Sequence, residues 1–248
     1  MALVETTRQG GVVTVTLADE DNRNALSAAL VGNLVETLDA ADGDPTVRVV
    51  VLTNRGGVFC AGADLSERSS DGKPAARVDA ADLFQRFRRS PKVYVGRIAG
   101  HCVAGGMGLA AAMADEEAKF GFTEVRRGVA PAMISVLCLP KMRPADAAEA
   151  MLLGNRMTGT DAARLGLINR AVPATELDAT VDGFVADLLA GGPEALAATK
   201  QLLVRVPGMS VDEAFDWTAR LSAELFRGDE AKEGMRAFLE KRPPNWAG

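Results

Sequence analysis

The chain has 248 residues, 48% of them hydrophobic and 25% charged, with a formal net charge of −5. That length and apolar content suit one core-forming domain with a small appendage, and the acidic balance argues against nucleic acid as a bulk-charge partner. Charges interrupt every apolar run before it reaches a bilayer's thickness, the segment Met1 to Glu5 lacks a secretory signal's basic and apolar regions, and the three cysteines (Cys60, Cys102, Cys138) form neither a zinc spacing nor an even disulfide set. No membrane partner and a reducing cytoplasm are therefore expected.

Leu3 to Thr6 and Val12 to Leu17 read as a hairpin about Gln9-Gly10-Gly11, and the polar stretch Asp21 to Leu26 reads as a turn. Ser27 is placed to cap a helix that carries Leu30, Leu34, Leu38 and Ala41 on one face. The β-branched run Val47 to Thr53 predicts a buried strand. Strands alternating with helices in this way predict an α/β fold with helices covering sheets. Residues 66–80 read as a polar irregular loop, a helix resumes over 79–89, and Pro91 ends it. Pro131, Pro140 and Pro144 separate short segments, and 160–168 reads as a capped short helix, a glycine stop at Gly166 and a strand. From Glu176 the pattern is helical throughout, over 176–190, 194–205, 211–227 and 230–240. This shift divides the chain into an α/β core, 1–190, and a C-terminal helical region, 191–248.

Two loops stand out. Gly56-Gly57-Val58-Phe59-Cys60-Ala61-Gly62-Ala63-Asp64-Leu65 follows the strand signal at 47–52. Gly100-His101-Cys102-Val103-Ala104-Gly105-Gly106-Met107-Gly108-Leu109 follows Val93 to Ile98 and runs into an alanine-rich, helix-favouring stretch, Leu109 to Ala114. Small residues let the backbone approach a ligand closely, and one N–H from each loop sharing one oxygen would make an oxyanion hole. Downstream, Phe120-Gly121-Phe122-Thr123 precedes Glu124. Apolar surroundings raise a carboxyl pKa toward general-base range; the plainer reading is a solvated glutamate paired with Arg126 or Arg127. His101, the single histidine, reads as structural, and Cys60 and Cys102 as small packing residues. Asp115 to Glu117 read as a solvated turn. Leu83, Phe84 and Phe87 read as core, with acyl-pocket lining as the alternative.

Phe-Cys-Ala-Gly-Ala-Asp-Leu at 59–65, Ala-Gly-Gly-Met-Gly-Leu-Ala at 104–110 and Phe-Gly-Phe-Thr-Glu-Val at 120–125 together resemble the crotonase (enoyl-CoA hydratase/isomerase) superfamily, over essentially the whole chain. The resemblance implies a spiral of ββα units with a C-terminal helical trimerisation region, as a homotrimer or homohexamer. It also implies acyl-CoA thioester chemistry without a metal or redox cofactor, coenzyme A being part of the substrate. By the family's motifs, the backbone N–H groups of Ala63 and Gly105 would form the oxyanion hole and Glu124 would be the acid/base. Arg23, Ala25, Ala61, Gly62, Asp64, Leu65, Gly106, Phe238 and Lys241 would hold the CoA portion.

Three departures bear on the reaction. Gly108 stands where the fatty-acid hydratases resemble Gly-Gly-Gly-x-Glu-Leu-Ala, Ala132 stands where some dienoyl-CoA isomerases carry an acid, and the 113–119 segment is a few residues short, which could displace Glu124. One carboxylate is thus expected to do the proton work. Hydration of a 2-enoyl-CoA is the expected reaction, with closest resemblance to bacterial methylglutaconyl-CoA hydratases of branched-chain catabolism. Δ3,Δ2-enoyl-CoA isomerisation and non-catalytic acyl-CoA binding are the alternatives.

Overall fold

The computed structural model describes residues 2–69, 80–103 and 111–247. The chain opens with the expected hairpin, β1 (Val4–Gln9) against β2 (Val12–Leu17), paired from Val4↔Leu17 to Gln9↔Val12. Helix α1 (Ala28–Gly43) begins where Ser27 accepts the Leu30 N–H, and its buried residues include Leu30, Leu34, Leu38 and Ala41. Strand β3 (Val49–Asn54) follows, and its alternate residues serve opposite faces. Val50 and Leu52 join the main core with the α1 leucines, while Val49 and Val51 pack with Val95, Met113 and, from α7 (Leu177–Ala190), Leu177, Val181 and Val185. A period of two with both faces covered is what a run of valines supplies.

From here the chain repeats one manoeuvre. Each circuit adds a strand to a large sheet and, a few residues later, a three-residue strand to a small one. β3 is followed by β4 (Val58–Cys60), β5 (Val93–Ile98) by β6 (His101–Val103), and β7 (Ala111–Asp115) by β8 (Lys119–Gly121). Circuits are joined by helices such as α2 (Leu65–Ser69) and α3 (Ala80–Arg89). The large sheet is six-stranded, in the order β1-β2-β3-β5-β7-β10, where β10 is Arg170–Val172. The small sheet is four-stranded, in the order β4-β6-β8-β9, with β9 (Arg156–Thr158) antiparallel to β8. The α/β class expected from the sequence is the one observed.

Several local expectations need correction. Residues 111–115 form a strand, although the run from Leu109 was read as helix. Ala112, Met113 and Ala114 are buried, and β7 hydrogen-bonds between β5 and β10, so tertiary pairing overrides alanine's helix propensity. Residues 65–69 are helical rather than irregular. The short helix read over 160–165 is α6 (Gly159–Arg164), capped by Thr158 through a reciprocal box with Asp161; Leu167 and Ile168 are buried but not in a strand, which begins at Arg170. The remainder of the stretch read as a polar loop lies outside the described residues.

The shortened 113–119 segment is a tight turn between β7 and β8, closed by Ala118 N–H to the Asp115 carbonyl at 3.0 Å and by Glu117 N–H to the Asp115 side chain at 3.0 Å. The roots of the two glycine-rich loops touch. A Cβ on Gly100 would lie 2.5 Å from the Gly57 carbonyl carbon and oxygen, and His101 N–H donates to that oxygen at 3.0 Å. Only glycine at 100 permits this approach.

After α7 the described chain carries three more α-helices, α8 (Pro193–Arg205), α9 (Val211–Arg227) and α10 (Asp229–Glu240). Arg48 and Glu233 are among the charged side chains that fasten them. Arg48, at the root of β3, donates to the carbonyls of Trp246 at 2.9 Å, Leu189 at 3.3 Å and Gly191. Glu233, almost fully buried, accepts from Arg242 at 2.7 and 3.0 Å, from Arg236 at 2.5 Å and from Asn245 N–H at 3.1 Å. These bonds, the Arg242 pair foremost, hold the Glu233 carboxyl down from an ordinary value of 4.5 to about 2. A depressed carboxyl contributes stability that is complete above its unfolded pKa and lost as pH falls through the folded value. Denaturant midpoints are therefore expected to drop as pH is lowered from 4.5 toward about 2. Glu233→Gln should be less stable at neutral pH and should flatten that part of the pH dependence.

Candidate active site

Strands β4, β6 and β8 lie side by side and parallel, so the segments that follow them leave the small sheet at the same edge. The described ones are Ala61–Leu65 and Phe122–Arg127. Neighbouring strands stand ~4.8 Å apart, which puts the chain leaving β4 about 10 Å from the chain leaving β8. The carboxyl edge of parallel strands is where α/β sheets gather their ligands. Gly105, Gly106 and Gly108 lie outside the described residues, so the second loop contributes its place in the sheet order and its sequence.

The first loop is held by a separate clasp from residues 19–26. Leu26 N–H donates to the Gly62 carbonyl at 2.7 Å, Ala61 N–H donates to the Arg23 carbonyl at 3.2 Å, and Leu26 pairs with Ala63 as an isolated parallel bridge. Asn22 Nδ2 donates to Asp64 Oδ2 at 2.8 Å, and Ser66 N–H and Oγ both donate to Asp64 Oδ1, at 2.9 and 2.6 Å. The Asp64 carboxyl is lowered from its ordinary value chiefly by the Ser66 hydroxyl and then by Asn22. Its oxygens are committed to holding the loop. Gly62 has φ +88°, open to glycine and strained for any side chain. Among the described residues, the Ala63 N–H donates to no acceptor.

The clasp is anchored by a residue that sequence reasoning missed. Asn24 is fully buried with φ +51°. Its Oδ1 accepts from Asp19 N–H at 2.8 Å, and its Nδ2 donates to the Val58 carbonyl at 2.7 Å, on the strand that delivers the loop. Asparagine tolerates the left-handed region and bonds to nearby backbone. The Asp-Asn-Arg-Asn turn at 21–24 carried that signal. Ala25 is buried beside it, while Arg23 is exposed with φ +53° and points a cation to solvent next to the first loop.

Glu124 sits on a 3-10 turn, Thr123–Arg127, which Gly128 ends in a left-handed conformation, φ 74°. Phe120 and Phe122, on either side of Gly121, are fully buried in the main core and fix the exit direction of β8. The Glu124 carboxyl is half-buried and its Oε2 is buried without a hydrogen-bond partner. Burial is the largest influence and raises its pKa; the residue's own backbone N–H and the Arg127 charge oppose this. The solvated ion pair considered from the sequence is not formed. Arg126 donates to the Leu153 carbonyl and Asn155, and Arg127 donates to the Thr123 carbonyl at 3.1 Å and hydroxyl at 2.6 Å. A partly desolvated carboxyl with one oxygen left unbonded is poised to exchange a proton.

The other candidates divide clearly. His101 Nδ1 accepts the Lys119 N–H at 3.0 Å and links β6 to β8, a structural use. Leu83, Phe84 and Phe87 are buried core residues. Phe238 and Lys241 lie at the exposed end of α10, on the C-terminal helices rather than at the strand-end loops, and Phe238 is 82% exposed. Ala61 and Ala63 are half-buried, Gly62 is buried and Leu65 is exposed.

Known proteins resemble this chain over nearly its whole length. The family model described as enoyl-CoA hydratase/isomerase matches residues 7–248. Enoyl-CoA hydratase EchA19 of Mycobacterium tuberculosis is 33% identical over 256 residues, covering 99% of this chain and 96% of its own. Carnitinyl-CoA dehydratase of Proteus mirabilis is 31% identical over 255 residues, covering 98% of this chain and 97% of its own. The crystal structure of an enoyl-CoA hydratase/isomerase from Marinobacter aquaeolei superimposes with a TM-score of 0.90 at 30% identity, covering 99% of each chain.

Because Asn24 links the clasp to β4, Asn24→Ala removes the bonds to Asp19 and Val58 and leaves a left-handed alanine. A loss of ~2–4 kcal/mol in unfolding free energy is expected from urea titration. Asn24→Gly, which keeps the backbone at ease, should lose less.

Proposed function

Since the chain belongs to the enoyl-CoA hydratase/isomerase family, we propose that it adds water to a 2-enoyl-CoA thioester, with Glu124 as the single acid and base. The observation that carries this reading is the partly desolvated Glu124 carboxyl, its Oε2 buried without a partner, leaving the same sheet edge as the Ala63 N–H, which has no acceptor among the described residues. The thioester oxygen accepts from the N–H groups of Ala63 and Gly105. Glu124 takes a proton from water as the water oxygen bonds to the β-carbon. The alkene electron pair then moves through the α-carbon onto the thioester oxygen, forming an enolate that the two donors stabilise. Collapse of the enolate takes the proton from Glu124 to the α-carbon, so one water is added and the carboxylate is restored. Each donor supplies ~3–4 kcal/mol of transition-state stabilisation. The reaction as proposed uses no metal or redox group.

Arg23 and Ala25, with the backbone of Ala61 to Leu65, hold the nucleotide and pantetheine, and Gly106 extends that cradle. Phe238 and Lys241 reach a CoA bound to another copy in a homotrimer or homohexamer. Phe215, Phe226, Phe238 and Leu239 support this assembly, being 73%, 65%, 82% and 79% exposed on α9 and α10. The motif resemblance favours a branched or carboxylated acyl group, and three buried cysteines that form no disulfide favour the cytoplasm. Among the described residues, no helix is long and apolar enough to cross a membrane.

Incubation with crotonyl-CoA and 3-methylglutaconyl-CoA, followed by mass analysis, should show the gain of one water. Glu124→Gln should lower kcat by ~10²–10⁴-fold while thioester binding survives. The active base is the carboxylate, so kcat/KM should fall as pH drops through the raised pKa of Glu124, and that limb should vanish in the variant. Unchanged mass with both substrates refutes hydration of these acyl groups. Isobaric conversion of a 3-enoyl-CoA would then select the isomerase, and binding without any conversion would select the non-catalytic reading. Sedimentation at micromolar concentration should show a trimer or its double; a monomer rejects the assembly.

A further inference from the structure

The Ala63 N–H belongs to the peptide plane between Gly62 and Ala63, so its direction is set by the two dihedrals of Gly62. Glycine holds those dihedrals weakly by itself, and φ +88° is only one of the values open to it. Two bonds remove the freedom. On the far side of Gly62, Leu26 N–H donates to the Gly62 carbonyl at 2.7 Å and fixes the plane that carries the Ala63 N–H. On the near side, the Gly62 N–H donates to the Cys60 sulfur at 3.4 Å and fixes the preceding plane. The glycine is clamped between a backbone donor and a thiol.

We propose that Cys60 is a positioning residue for the oxyanion hole, its sulfur accepting the Gly62 N–H so that the Ala63 N–H keeps one direction. This rests on the reading of Ala63 as a donor to the thioester oxygen. The pattern, a side-chain acceptor at one residue and the N–H two residues on, is the one serine and threonine use to shape turns. Sulfur reaches further than a hydroxyl oxygen and accepts more weakly, so burial has to hold it in place. Cys60 is 1% exposed and its Cα pairs in register with Cys102, itself fully buried, on β6. Burial also pushes the Cys60 thiol up to about 11, so it stays protonated and unreactive at neutral pH.

The test uses butyryl-CoA labelled with 13C at the carbonyl, which binds as a thioester but has no double bond to hydrate. Its carbonyl stretch is followed by difference infrared spectroscopy on the wild type, Cys60→Ala and Cys60→Ser. A downshifted, narrow band is expected with the wild type, a smaller and broader shift with Cys60→Ala, and recovery with Cys60→Ser, which restores an acceptor. In turnover, Cys60→Ala should lose about tenfold in kcat with little change in KM, short of the ~10²–10³-fold for removing a donor outright. A wild-type band in Cys60→Ala, or a serine variant no better than the alanine one, overturns the proposal while leaving the oxyanion hole intact. If the wild type binds butyryl-CoA without any downshift, the donor role of Ala63 fails first and this inference with it. Should Cys60→Ala not fold, amide exchange of Gly62 in the wild type decides the matter: protection is expected, and exchange at the rate of a free loop amide overturns it.

Discussion

The parallel pairing of β4, β6 and β8 is the constraint on which the site depends, because parallel strands discharge their following loops at one edge. Each strand is only three residues long, so the small sheet has little ladder of its own to hold it. Its register is imposed by the large sheet, from which each short strand departs within a few residues of β3, β5 or β7. The His101–Lys119 bond and the contact of Gly100 with Gly57 refine that register at the two inner seams. A spiral that places one strand per circuit in each sheet thereby converts motifs far apart in sequence into neighbours.

At that edge the electrostatics are arranged by exclusion. The arginines nearest Glu124 spend their donors on Thr123, Leu153 and Asn155, while buried phenylalanines occupy the space behind it. The carboxyl is thus partly desolvated and forms no ion pair among the described residues, and it responds by holding its proton more tightly. Asp64, by contrast, is surrounded by donors and stays ionised. The two acids are tuned in opposite directions, Glu124 upward by burial and Asp64 downward by the donors that hold its loop. Cys60 and Cys138, each pushed up to about 11, add bulk and polarisability without adding charge.

How much of this was legible in the sequence varied with the kind of signal. The hairpin, α1 with its Ser27 cap, the valine-rich β3 and the C-terminal helices were readable because periodicity and capping act locally. The three-residue strands β4 and β6 were absorbed into loops, since nothing that short carries a period. The run 111–115 misled because alanine favours helix locally and yet fits between two packed strands. The site was legible only as motifs: glycine and small residues for backbone donors, and a glutamate after aromatics. Asn22, Asn24 and the sulfur of Cys60 escaped notice because their partners lie 42 and 34 residues away for the asparagines, and at a glycine N–H for the thiol. The asparagine bonds are long-range and leave no trace in composition, and the thiol bond is local but made by a residue type seldom read as an acceptor.

The Arg48 clamp bears on how the protein comes into being. Because the large sheet is ordered β1-β2-β3-β5-β7-β10, a chain emerging from the ribosome can add each strand to an edge already laid down. Arg48 enters with β3, but the carbonyls that receive its guanidinium belong to residues 189, 191 and 246. Until those arrive, the cation must remain hydrated, because a buried guanidinium without acceptors is costly. The root of β3 therefore stays open to water until the chain has been made as far as residue 246 and has folded back onto it. Carbonyls 141 to 198 residues downstream seal a layer laid down well before them.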